Sequence, residues 1–159
     1  MIKGSVSMTR DEWVRVCGAR LQVHGITNFS PLEIADVGRQ SSGVSLSSPP
    51  LGLLGNALKL IDVLQWLRNE GEVASVLVNS WWRSPEYNEA IGGVANSMHL
   101  TLGAADIVKK GLWPSEVADL LEDSPYKDDL GIGRYKTFTH VDIRGMLGRH
   151  APARWGTNG

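Results

Sequence analysis

The sequence predicts an α+β domain: a small, mostly antiparallel sheet flanked by helices. Two observations carry this. Several segments repeat apolar residues at the helical period, and short runs rich in β-branched residues fall between them without regular β-α-β alternation. A chain of 159 residues suffices for one domain with a substantial core, so residues 1–159 are read as a single unit.

The elements follow in order. "TRDEWVRVCGARL" opens with Thr9 as an N-cap and sets Trp13, Val14 and Cys17 at helical spacing. Residues 25–55 end in "SSGVSLSSPPLGLLG" and read as irregular chain with a short helix around Pro31 to Val37. A stretch this long forms either the rim of a cleft or a wrap over the surface. "NALKLIDVLQWLRNEG" is the clearest helix, with Asn56 as cap, Leu60, Ile61, Leu64, Leu67 and Arg68 at the period, and Gly71 to end it. "EVASVLVNS" reads as a strand. Pro85 starts a short helix that Gly92 and Gly93 end, "GAADIV" is a strand, and "WPSEVADLLEDS" is a helix with Pro114 in its first turn. "GIGRY" and "FTHVDI" form two strands or a hairpin, and residues 146–159 read as a solvated basic tail.

Composition narrows the function classes. Sixteen Lys and Arg against 17 Asp and Glu give a net charge of −1, so no general attraction to nucleic acid or an anionic membrane is expected. No apolar run approaches the length of a membrane span, and "MIKGSVSMTRDEWVRV" has no secretory leader pattern. A monomer made in the cytoplasm is expected. Cys17 is the only cysteine, so a metal site must use His and carboxylate.

Alternation along "FTHVDI" sets Phe138, His140 and Asp142 on one face and Thr139, Val141 and Ile143 on the other. In "GAADIV", Asp106 shares its face with the small Ala104 and with Val108, which leaves room above the sheet. His99, Asp106 and His140 are therefore candidates for one metal centre. Two imidazoles and a carboxylate suit zinc, and three protein ligands leave a fourth position for water. The His-x6-Asp spacing alone is a weak signal among 4 histidines and 17 acids, and a turn histidine beside a buried strand is the plain alternative. No nucleophile elbow, Walker loop or His-Glu-x-x-His helix is present.

A longer match decides between them. "VNSWWRSPEYNEAIGGVANSMHLTLGAADI", followed by "GIGRYKTFTHVDIRG", resembles the zinc D-Ala-D-Ala carboxypeptidase and L-alanyl-D-glutamate endopeptidase family over roughly residues 78–145. These are cell-wall metallopeptidases that share a fold with the hedgehog signalling domain. The resemblance implies one zinc ion held by His99, Asp106 and His140, and peptidoglycan stem peptides as substrate. It implies that Arg83 binds substrate and polarises the scissile carbonyl, that Ser97 lies near the substrate's peptide or terminal carboxylate, and that Gly92 and Gly93 make a turn needing positive φ. A leaderless member suits a bacteriophage lysis or virion enzyme delivered by another component.

Three departures stand out. Leu102 occupies the family's glycine position, and Trp81–Trp82 replaces Gly-Tyr. Thr137 stands where many members carry a catalytic Glu, and Thr is no general base at neutral pH. Asp142 is nominated instead, as base or as the residue that orients Arg144 or a histidine. The alternative reading is a catalytically inactive, zinc-containing binding or structural module of the same fold.

Overall fold

The computed structural model describes residues 7–156. Helix α1 (Arg10–Val23) starts at Thr9 in a capping box: the Thr9 hydroxyl accepts from Glu12 N, and the Glu12 carboxylate accepts from Thr9 N at 2.7 Å. It buries Trp13, Cys17 and Leu21. The segment after it carries α2 (Pro31–Ile34) and a two-residue-per-strand hairpin that the sequence reading lacked, β1 (Gln40–Ser41) with β2 (Val44–Ser45). Phe29, Ile34, Ala35, Val37 and Leu46 from this stretch are buried, so it is a wrap that adds core.

Helix α3 (Leu54–Asn69) follows a 3-10 turn and begins two residues before the expected cap. Asn56 therefore lies inside the helix, where its Nδ2 donates to Thr101 O at 2.8 Å and ties α3 to the site loop. Strand β3 covers only Leu77–Ser80. Residues 72–76 are not strand, and two of their carbonyls, those of Val73 and Ser75, serve a side chain instead. Buried Lys109 donates to Val73 O at 2.7 Å, Arg68 O at 3.1 Å and Ser75 O at 3.3 Å, a cation at the C-terminal end of α3.

After α4 (Pro85–Ala90) and a 3-10 turn at Met98–Thr101 come β4 (Ala104–Val108), α5 (Pro114–Glu122), β5 (Gly131–Arg134), β6 (Thr139–Asp142) and β7 (Ala153–Gly156). The sheet order is β3-β4-β6-β5-β7, antiparallel except for the parallel β5–β7 pair. β7 corrects the tail reading of 146–159: the Arg144–Leu147 turn leads back to the sheet, and Arg154 docks on Glu122 at 2.7 Å and on Leu130 O at 2.6 Å. Residues 157–159 lie outside the described residues.

Register fixes which side chains share a face of the sheet. One row crosses all five strands: Ser80, Asp106, His140, Gly133 and Trp155 are successive partners. The next row runs Ala104, Asp142, Gly131 and Ala153. Because side chains alternate, both rows project from one face, and Ala105, Ile107, Ile132 and Val141 project from the other into the core shared with α3 and α5. Among the described residues no helix is long and apolar enough to cross a membrane.

Candidate metal centre

The turn before β4 supplies the first donor. Ser97 caps the Met98–Thr101 turn, its hydroxyl accepting from His99 N at 3.3 Å. The turn ends at Leu102 in the left-handed region, φ 64°, which explains why a glycine is usual at this position. Here the leucine side chain is fully buried and its carbonyl accepts from Trp81 Nε1 at 2.9 Å, so packing holds the unfavourable backbone. Trp81 and Trp82 are core residues, and neither lines the cleft.

His99 Nδ1 faces the carbonyl of Trp81. A carbonyl only accepts, so Nδ1 carries the hydrogen and Nε2 presents its lone pair. Nε2 is 3.3 Å from Asp106 Oδ1, and His140 Nδ1 is 2.9 Å from that oxygen. The three residues are 2%, 6% and 8% exposed, and one ligand atom from each lies within 4.8 Å of the others. Two imidazole nitrogens and one carboxylate oxygen, buried and convergent, are a donor set that fits zinc.

The ring nitrogen of His140 that points away from this point is also fixed. Nε2 meets Asp142 Oδ2 at 2.9 Å. Asp142 is fully buried, and Arg144 closes around it: Nε to Oδ1 at 2.8 Å, Nη2 to Oδ2 at 2.8 Å, and the backbone N to Oδ1 at 3.1 Å. The Arg144 guanidinium in turn lies 4.9 Å from the Trp155 ring centre, and that ring is 5.2 Å from His140. Gly131 and Gly133 make this layer possible. A Cβ on Gly131 would sit 2.5 Å from Asp142 Oδ2 and Arg144 Nε, and one on Gly133 would sit 2.6 Å from Trp155 Nε1.

Electrostatics follow from the pairing. Burial works to raise the Asp106 and Asp142 carboxyls, but hydrogen bonds from the histidines and Arg144 outweigh it and hold both well below the usual range. Burial lowers His99 below its ordinary value. For His140 burial also pulls down, yet the two carboxylates on its two nitrogens prevail and raise it above 6.5.

The centre lies in a cleft of about 700 Å³. Arg83 lines it, with Nη2 3.2 Å from Asp106 Oδ2 and Nε 3.3 Å from Ser80 Oγ. Ser97 and His150 line it too, as does Tyr135, whose hydroxyl accepts from Trp155 Nε1 at 3.0 Å. Residues 25–55 contribute none of the lining, so the rim reading of that segment does not hold. Gly92 has φ 72°, as expected of the turn, whereas Gly93 is needed for space against Asn88 Oδ1.

Sequence reasoning overlooked Trp155, while the pairing of Asp142 with Arg144 and a histidine was among its alternatives. The signal was present in "GIG": two glycines spaced by two on a strand mark a face with a bulky layer above it.

No curated protein matches this chain. The Peptidase M15 family model, in contrast, matches residues 27–142, a span that includes all three donors. With its donor set fitting the zinc that this family uses, the chain belongs to the Peptidase M15 family of zinc metallopeptidases.

Proposed function

We propose that this protein hydrolyses an amide bond in peptidoglycan stem peptides, as a carboxypeptidase or an endopeptidase. The observation that carries this reading is the buried, convergent His99–Asp106–His140 set at the floor of an open cleft. These three residues would hold the zinc ion, which when bound supplies a Lewis acid that polarises a carbonyl and acidifies water.

The chain's own residues do the rest. Trp81 O fixes the His99 tautomer, and Asp142 holds the hydrogen on His140 Nε2, which frees Nδ1 as donor. Both Asp142 oxygens are engaged by Arg144 and His140, which supports the orienting role over the general base. Arg83 presents a fixed guanidinium to charge developing on the carbonyl oxygen. Ser97, with its oxygen accepting from His99 N, keeps its hydroxyl hydrogen for the substrate. Asp106 and Asp142 are the only acids lining the cleft among the described residues, and both are committed. Tyr135 and His150 are therefore the groups left to carry protons there.

The test is incubation of purified peptidoglycan with the zinc-loaded protein, the chelated protein and the chelated protein with zinc restored. Fragments in the first and third arms alone are expected, and their masses identify the bond cut. Full zinc occupancy with no fragment under any condition would overturn the peptidase reading in favour of a zinc-containing binding module, the alternative that Thr137 and the committed acids favour.

A further inference from the structure

The cleft's charges do not balance, and one residue accounts for the difference. Asp106 is paired with Arg83 and two imidazoles, and Asp142 with Arg144 and His140. Arg149 lines the same cleft and has no acidic partner among the described residues. Its side chain is exposed at the mouth of the cleft, yet it is tied at two points. Its backbone N donates to Arg144 O at 2.9 Å across the turn that Gly148 makes at φ 77°, and its Nη1 donates to Asn96 O at 3.0 Å. The guanidinium is thus held against the loop that carries Ser97 and His99, with the rest of its fork unspent.

We propose that Arg149 is the specificity residue of this cleft and binds a free carboxylate that the peptide substrate carries close to the scissile amide. The inference rests on the peptidase reading for the identity of the peptide, and on the cleft's own charge for the carboxylate. A pre-positioned arginine fork matches a carboxylate in two parallel hydrogen bonds, which an amide in its place cannot reproduce. The zinc charge adds to the same sign. A chain of net charge −1 therefore carries a cationic cleft suited to an anionic peptide. Two carboxylates in stem peptides meet the description: the terminal carboxylate after D-Ala-D-Ala, and the α-carboxylate of a γ-linked D-glutamate.

Two matched peptide pairs separate these sources: an acyl-Lys-D-Ala-D-Ala acid against its C-terminal amide, and an L-Ala-γ-D-Glu-Lys peptide against its isoglutamine form. Binding is measured by calorimetry on the metal-free protein, and KM and kcat on the zinc-loaded one. Wild type is expected to prefer the carboxylate member of one pair by at least tenfold in Kd and KM, and that pair names the source. Arg149→Gln should erase the preference with an unchanged melting temperature, and Arg149→Lys should keep part of it. A wild type indifferent to both exchanges, or an Arg149→Gln protein that keeps its preference, overturns the proposal. Binding that depends on Arg149 without any cleavage would overturn the peptidase reading and leave the carboxylate site standing.

Discussion

On one face of the central sheet, Ala105, Ile107, Ile132 and Val141 meet α3 and α5 in the core. On the other, Asp106, His140 and Asp142 are nearly as deeply buried, yet every one is titratable. The same strands and the same backbone hydrogen bonds support both faces. Apolar burial is non-directional, so the first face tolerates exchange of one aliphatic shape for another at modest cost. The polar face works pair by pair, and removing one member leaves a buried charge without its partner. The comparison teaches that burial alone says little about tolerance. What matters is whether the buried group depends on one named neighbour.

The largest effect is expected at Asp142. Asp142→Ala should cost about 3–5 kcal/mol in chemical denaturation by stranding Arg144 and His140. It should also weaken zinc binding about 10- to 100-fold. On the opposite face Ile107→Val should cost about 0.5–1.5 kcal/mol. Equal costs for the two variants would break the comparison.

Leu102 and Gly131 sharpen it from the backbone side. Leu102→Gly relieves the positive φ, worth about 1–2 kcal/mol, but empties a buried leucine site worth about 2–5 kcal/mol, so net destabilisation is expected on melting. Gly131→Ala drives a methyl into the Asp142–Arg144 pair and should cost about 1–3 kcal/mol. Unlike Leu102→Gly, it should also lower zinc affinity, which competition with a chelating dye would detect.

Protons compete with the metal at His140. Its folded pKa is raised above 6.5 by the two carboxylates, so in the metal-free protein the ring keeps its second proton to higher pH than a free imidazole, and the Nδ1 proton must leave for zinc to bind. Apparent zinc affinity should therefore climb with pH, about tenfold per unit while His140 is protonated, and level off above its pKa. In the metal-free protein the same ion pair stabilises the fold below 6.5, and that contribution disappears as pH rises through the folded pKa. Asp106 and Asp142 behave oppositely, stabilising above 3.8 and ceasing to do so in strong acid. The smallest effect belongs to the apolar side: Cys17 is buried and its thiol is pushed up to about 12 by burial, so thiol reagents should leave the native protein unmodified at pH 8.

Much of this was legible in the chain. Alternation along "FTHVDI" gave the correct faces for His140 and Asp142, and the apolar period gave α3, because both signals are local. Leu102 looked like a defect in the pattern, and only the backbone angle and the Trp81 contact explain it. β7 was invisible because four residues reading Ala-Arg-Trp-Gly carry no strand signal without β5 beside them. The bonding of Asp142 depends on Arg144 folding back over Gly131, a contact set by register rather than by spacing.

The row from Ser80 to Trp155 also governs how the chain avoids pairing wrongly. A slip of one residue in β6 would swing His140 and Asp142 to the side of Ile107 and Ile132, and bring Val141 out opposite Asp106. Two ionisable groups would then enter the apolar core without partners, while Asp106 lost its histidine. Such a sheet could make nearly all its backbone bonds and still be heavily penalised. The buried polar row thereby gives the strands an alignment check, and a chain that pairs β4 with β6 stably has already brought Asp106 and His140 together.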